Sequence, residues 1–309
     1  MTILLLGKNG QVGWELQRSL APLGEVIALD RHGAAHPTQS GVWLAGDLAD
    51  PAGLARTVEA LRPQVVVNAA AHTAVDRAES EPDLAHLLNA EAPGALARAA
   101  QAVGAWLVHY STDYVFDGSG QQPWREDDAT GPINTYGRSK LQGEDAVRSA
   151  CERHLILRTS WDYAARGGNF AKTMLRLASE RDQLKVISDQ VGSPTGADLL
   201  ADVTAQAIRT VQSQPARADL LGLYHLVASG HTNWHDYARF VIEWARAHGQ
   251  SIKVAPDAVL PIPTAEYPTP AQRPLNSRLD TTKVCQAFDL TLPHWQQGVE
   301  RMLIEISGK

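Results

Sequence analysis

Five short apolar runs, at residues 3–6, 26–29, 65–67, 106–109 and 155–157, punctuate the first half of the chain. None alternates apolar with polar positions, so each reads as a strand buried on both faces, as in a parallel sheet covered by helices. Between them, apolar residues recur at helical spacing over 12–20, 53–61, 82–103 and 136–150. This alternation predicts βαβ units and an α/β fold of the Rossmann, doubly wound type. Beyond about residue 160 the rhythm weakens. Gly-Gly-Asn at 167–169, Ser-Pro-Thr-Gly at 193–196 and a proline-rich stretch over 256–274 mark irregular connections. Helical patterns persist at 170–179, 197–211 and 234–247. The expected organisation is a nucleotide-binding Rossmann domain over 1–160. Residues 161–309 then complete the sheet and add a smaller C-terminal substrate-binding lobe over its carboxyl edge, with segments interleaved.

Composition narrows the class. With 44% hydrophobic and 20% charged residues, 309 residues suffice for one α/β domain and an appended lobe with a full core. A net charge of -6 without any basic block disfavours nucleic acid and anionic membranes as partners. The apolar run at the N-terminus is too short for a signal-peptide core or a bilayer span. Two cysteines, Cys151 and Cys285, make neither a disulfide framework nor a zinc cluster, and fit reduced thiols in a cytoplasmic protein.

Gly7-Lys8-Asn9-Gly10-Gln11-Val12-Gly13 falls where the first strand hands over to the first helix. Glycines there permit a tight turn, close approach of the backbone to a pyrophosphate, and close helix–sheet packing. A three-glycine match alone is weak, because glycine often serves only packing; its position between strand and amphipathic helix favours a dinucleotide. Asp30 ends the second strand, where an acid would accept the adenosine ribose hydroxyls, and Arg31 follows it. Asp30 repels a 2′-phosphate and Arg31 attracts one, so NADH and NADPH both stay open. Asp47 and Leu48 stand where a loop after a third strand would cover adenine. In Asn68-Ala69-Ala70-Ala71-His72, small residues would let the nicotinamide half lie against the backbone.

The sharpest signal is Tyr136-Gly137-Arg138-Ser139-Lys140, which puts a tyrosine and a lysine on one helix face. A tyrosine exchanging protons near neutral pH needs its pKa lowered from about 10 by ~3 units, roughly 4 kcal/mol. One cation at ~4 Å in an effective dielectric of about 20 supplies that order of energy, so Lys140 is expected to lower Tyr136. Such pairs also arise by chance on solvated helix faces. Here the pair lies downstream of a strand ending in Thr112, which completes a hydroxyl–tyrosine–lysine triad at the ligand edge.

The same residues resemble the extended short-chain dehydrogenase/reductase superfamily, and more closely its dTDP-4-dehydrorhamnose reductase family. The likeness runs over nearly the whole chain: 7–16 (GKNGQVGWEL), 68–75 (NAAAHTAV), 109–116, 158–161 (RTSW), 169–177 (NFAKTMLRL) and 268–279. It implies hydride transfer from NAD(P)H to the C4 ketone of dTDP-4-dehydro-β-L-rhamnose, a nucleotide-sugar substrate. By this resemblance Tyr136 protonates the developing alkoxide, Thr112 binds the same oxygen, and Lys140 tunes Tyr136 and holds the nicotinamide ribose. Gly10, Gln11, Val12, Asp30, Asp47, Leu48, Ala70, Ala71, His72 and Tyr110 would touch the cofactor, and Asp113 and Trp161 the sugar nucleotide. Asn169, Lys172, Arg273 and Arg278 are candidates for the substrate diphosphate, although each also reads as an ordinary surface group. Some family members are homodimers with Mg2+ near the subunit contact. Glu15 matches one ligand position, whereas Asp198 stands where glutamate is expected. Asp162 occupies a place where a small apolar residue is expected.

Other activities of the superfamily fit less well. A 4,6-dehydratase needs a second acid after the threonine, and Tyr114 follows Asp113 here. An epimerase-reductase needs further acid/base groups, often a cysteine, and neither cysteine lies near the triad in sequence. A C4 epimerase with retained NAD is not separable by motif. A non-catalytic nucleotide-binding regulatory subunit would be expected to lose the tyrosine or lysine.

Overall fold

Six parallel strands form the central sheet: β1 (Thr2–Leu6), β2 (Glu25–Leu29), β3 (Val65–Asn68), β4 (Trp106–Thr112), β5 (His154–Thr159) and β6 (Gly222–His225). Their spatial order is β6-β5-β4-β3-β1-β2 in the computed structural model, which describes residues 1–38, 41–214 and 216–308. Ile3 and Leu5 face one layer of helices while Leu4 and Leu6 face the other, and all four are fully buried. Two-sided burial is why the strand sequences show no alternation.

On the first face lie α1 (Gln11–Leu20), α6 (Ala197–Ser213) and α8 (Thr282–Phe288), through Leu16, Leu200, Ile208 and Phe288. On the second lie α2 (Pro51–Leu61), α3 (Ala92–Val103) and α4 (Thr135–Ala150), through Leu54, Val58, Leu96 and Val147. Three further helices, α5 (Phe170–Glu180), α7 (Trp234–Ala247) and α9 (Trp295–Ser307), share a separate core of Ala171, Tyr237, Val241, Trp295 and Val299. Beside it Leu184–Ile187 pairs in parallel with Val259–Ile262. Helix α6 and strand β6 return from the second half of the chain to complete the sheet.

Two expectations of local structure need correcting. Residues 82–103 do not form one α-helix: Pro82–His86 passes through a π turn at Leu87–Glu91 before α3. The turn carries buried Asn89, whose carboxamide accepts from His72 N at 2.8 Å and donates to His72 O at 3.0 Å. A side chain thereby does the work of a ladder partner, and the wider turn is what presents it. Nor does a strand precede Asp47. The N–H and C=O of Ala45 are both taken by the Thr57 hydroxyl, at 2.8 and 3.0 Å, so this segment needs no strand neighbour.

Candidate functional site

Because β2 lies on one side of β1 and β3 on the other, the order of strand addition reverses at β1. Open α/β sheets form their ligand crevice at that point. Here it is a cleft of ≈ 1130 Å³ running from Asp30, past the glycine turn, to Tyr136 and Trp161.

The glycine turn is shaped by backbone contact. Gly7 has φ +86, and a Cβ there would meet Ala70 N at 2.8 Å. A Cβ on Gly13 would stand 2.0 Å from the Gly7 carbonyl oxygen, so α1 packs directly on the turn. Gly10 is the N-cap of α1 and supplies no side-chain cap, leaving helix amides for an incoming anion. Gly10, Gln11 and Val12 line the cleft with Ala70, Ala71, Asp47 and Leu48. Asp30 also lines it, accepting from Asn9 Nδ2 at 2.8 Å and His32 N at 2.9 Å. The His32 amide above all, opposed by burial and aided by Lys8, holds the Asp30 carboxyl below its usual range.

At the other end Thr112, Asp113, Tyr136 and Trp161 share the wall. Asn134 caps α4 by accepting from Gly137 N at 2.7 Å, and a Cβ on Gly137 would meet the Tyr114 carbonyl at 2.1 Å. These contacts seat the first turn of α4 against the segment that follows β4, and so bring Tyr136 to Thr112. The Tyr136 ring meets Tyr114 edge-on at 5.7 Å. Asp113 accepts from Thr112 Oγ1 at 3.1 Å on one oxygen, while its other oxygen, Oδ2, is buried without a protein partner. Burial lifts its carboxyl to about 7, with Asp162 adding to the rise against hydrogen bonding from Ser277 and Thr112. Trp161 holds a left-handed backbone, φ 50, and stacks on Trp234 at 3.6 Å. A Cβ on Gly192 would strike its ring at 2.7 Å. Strained backbone of this kind concentrates at ligand sites.

Tyr136 departs from its expected protonation. Burial first, then the Asp162 carboxylate, raise its phenol, and the Thr112 hydroxyl only partly opposes them. Lys140 does not lower it, because the lysine points behind the cleft wall. Its Nζ donates to Tyr110 O at 2.6 Å and lies 3.5 Å from His109 Nε2. Burial brings Lys140 down to about 8 against the attraction of Glu144.

Several other expected contacts do not reach the wall. Tyr110 turns its hydroxyl to Thr204 at 2.6 Å, on the face covered by α6. His72 is tied to Asn89 through its backbone, and its ring lies 3.4 Å from Glu81. Among the diphosphate candidates, Asn169 caps α5 by accepting from Lys172 N, and Lys172 Nζ donates to the carbonyls of Ala165 and Gly167. Arg273 pairs with Asp76 at 2.8 Å, and Arg278 lines a separate cavity of ≈ 420 Å³. Local carbonyls and carboxylates use these cations first. Glu15 lies 3.5 Å from Arg18 and Asp198 is held by Arg301, and the described residues contain no cluster of three or more metal-ligating side chains. The Mg2+ expectation therefore finds no support. Asp162, in contrast, opens into the cleft beside Tyr136.

The residues present fit a dinucleotide and a polar substrate. Gln11 Oε1, Asp113 Oδ2, Thr159 Oγ1 and Ser160 Oγ are all buried without protein partners, and all four residues line the cleft. Buried polar atoms are normally paired, so their convergence marks a ligand surface. Sequence reasoning missed Thr159, Ser160 and Trp234. Trp234 lies far from Trp161 along the chain and carried no local signal.

Comparison with known proteins agrees with this layout. The family model described as RmlD substrate binding domain matches residues 1–307. A dTDP-4-dehydrorhamnose reductase of Shigella flexneri is 59% identical over 306 residues, covering 99% of this chain and 98% of that protein. The crystal structure of a dTDP-4-dehydrorhamnose reductase from Clostridium acetobutylicum superposes with a TM-score of 0.83 at 36% identity, covering 99% of this chain and 100% of that one. Its counterpart from Bacillus anthracis, in complex with NADP, gives a TM-score of 0.83 at 33% identity, covering 98% and 99%. The chain belongs to the dTDP-4-dehydrorhamnose reductase family.

Proposed function

We infer that this chain reduces the C4 ketone of dTDP-4-dehydro-β-L-rhamnose to dTDP-L-rhamnose with NADPH or NADH. The observation that carries this reading is the Thr112–Tyr136 hydroxyl pair on the same cleft wall as the open N-terminus of α1. Gly7, Gly10, Gln11, Val12, Asp30, Asp47, Leu48, Ala70 and Ala71 would hold the dinucleotide, which when bound supplies the hydride for the carbonyl carbon. Gly13 supports them from behind by seating α1 on the turn. On substrate binding the Thr112 hydroxyl would turn from Asp113 to donate to the carbonyl oxygen, and Tyr136 would deliver its proton there as negative charge develops. A raised phenol pKa suits this direction, since the tyrosine stands protonated and the alkoxide is far more basic than the phenolate. Trp161 and Trp234 form an apolar wall for the sugar nucleotide, and Asp113 accepts from one of its hydroxyls.

Loss of reduced-nicotinamide absorbance with enzymatically generated substrate tests the reading, with Tyr136→Phe alongside. Turnover by the wild type and a fall of roughly 10²–10⁴-fold in the variant are expected, the usual worth of a positioned general acid. Absence of oxidation with either cofactor, from folded protein that binds both, overturns it. No described helix is long and apolar enough to cross a membrane. A cytoplasmic homodimer completes the proposal, and light scattering on the purified protein checks its assembly.

A further inference from the structure

Behind the cleft wall lies a chain of buried polar groups whose hydrogen positions are fixed by elimination. Asn68, His109 and Lys140 are all nearly inaccessible. The backbone N–H of Ala70, which can only donate, lies 3.2 Å from Asn68 Oδ1. The amide is thereby oriented, and its Nδ2 faces His109 Nδ1 at 3.2 Å. Nδ2 carries only hydrogens, so Nδ1 must offer its lone pair. Burial and the Lys140 charge keep the imidazole neutral. A neutral ring accepting at Nδ1 carries its single hydrogen on Nε2. That hydrogen points toward Lys140 Nζ, 3.5 Å away.

An ammonium has three hydrogens and no lone pair, whereas a neutral amine can accept. The Nε2–H therefore opposes the charged lysine and favours the neutral one. We propose that His109, with its tautomer set by Asn68 and the Ala70 amide, is the positioning residue that holds Lys140 between its charged and neutral forms. This rests on the reductase reading, in which Lys140 stands behind the proton donor. The other groups facing Nζ are the Tyr110 carbonyl at 2.6 Å and, on its own helix, the Glu144 carboxylate, and both favour the ammonium. Arg158 of β5 is held by Glu144 in a bidentate pair, at 2.8 and 2.7 Å. From the π turn, Asn89 donates to Ser139 and brings no charge to this side of α4. Burial alone already brings the lysine down to about 8 against the Glu144 carboxylate, and the imidazole N–H adds to burial on the same side.

The test needs neither cofactor nor turnover. In wild-type protein, 15N shifts of the His109 ring identify the protonated nitrogen: Nε2–H is expected, and Nδ1–H overturns the proposal. The 13Cε resonance of Lys140, assigned with Lys140→Met, then reports its titration. In His109→Leu the midpoint is expected to rise by about one pH unit, the worth of one buried hydrogen bond. In His109→Gln it is expected to stay at the wild-type value, because the glutamine oxygen can accept from Asn68 while its NH2 faces the lysine. An unchanged midpoint in the leucine variant, or a glutamine variant that shifts as far as leucine, overturns the proposal. Because the readout is in cofactor-free protein, failure of the reductase assay leaves this result standing on its own. If turnover is present, the alkaline limb of the kcat profile moves up in the leucine variant and not in the glutamine one.

Discussion

Asp113 is the place where stability and function oppose each other most plainly. Its carboxyl is 2% exposed, one oxygen has no protein partner, and burial raises its pKa from 3.8 to about 7. The native state thus holds a proton that the unfolded chain releases. The stability tied to it is fully present below 3.8 and is lost as pH rises through about 7. At about 1.4 kcal/mol per unit, the loss is roughly 1.7 kcal/mol at pH 5 and approaches ~4 kcal/mol at pH 8.5. Asp113→Asn keeps the acceptor facing Thr112 and removes the charge. Its stability relative to wild type should therefore improve by ~2–3 kcal/mol between pH 5 and pH 8.5. Urea unfolding of both proteins at the two pH values measures the difference. A relative stability that stays constant with pH would mean the carboxylate is solvated in the cleft, and would refute the reasoning. Activity is expected to fall in the same variant, since a neutral amide is a poorer acceptor for a sugar hydroxyl.

Three further outcomes follow from neighbouring contacts. Glu144→Gln leaves the buried Arg158 guanidinium uncompensated and should destabilise the protein by about 3–5 kcal/mol in urea unfolding. Gly13→Ala drives a methyl into the Gly7 carbonyl and should cost roughly 1–3 kcal/mol, with weaker NADPH binding by fluorescence titration. Asp162→Val removes a carboxyl that raises both Tyr136 and Asp113, so the pH profile of kcat/KM should move to lower pH.

The parts legible in the sequence are those where local chemistry decides the outcome. Strand β1 is buried on both faces, so its lack of alternation reports its layer directly. The glycine turn is legible because only glycine tolerates φ +86 at Gly7 and the backbone approach at Gly13. Tyr136 and Lys140 do share a helix, as their spacing requires. Spacing does not say which way a long side chain bends, and the Lys140 ammonium goes to the Tyr110 carbonyl instead of the phenol. The same limit applies to Lys172 and Arg273. A cation at a plausible position looks alike in sequence whether it awaits an anion or already caps a loop. Partnerships over long separations were beyond reach, including Glu144 with Arg158 and Trp161 with Trp234.

The two ends of the cleft are built from different materials, and this has a chemical consequence. At the dinucleotide end the surface is mostly backbone: the glycine turn, the uncapped amides of α1 and the alanines after β3. Asp30, on the wall beside the turn, is held ionised by the His32 amide and Lys8. At the other end burial raises Asp113 and Tyr136, Asp162 raises both further and Asp113 adds to the rise of Tyr136, while Lys140 is lowered behind them. Proton transfer calls for groups whose charge is contested, whereas holding a pyrophosphate calls for donors that never titrate. The fold satisfies both by placing backbone on one side of the β1–β3 crossover and buried side chains from β4 and α4 on the other.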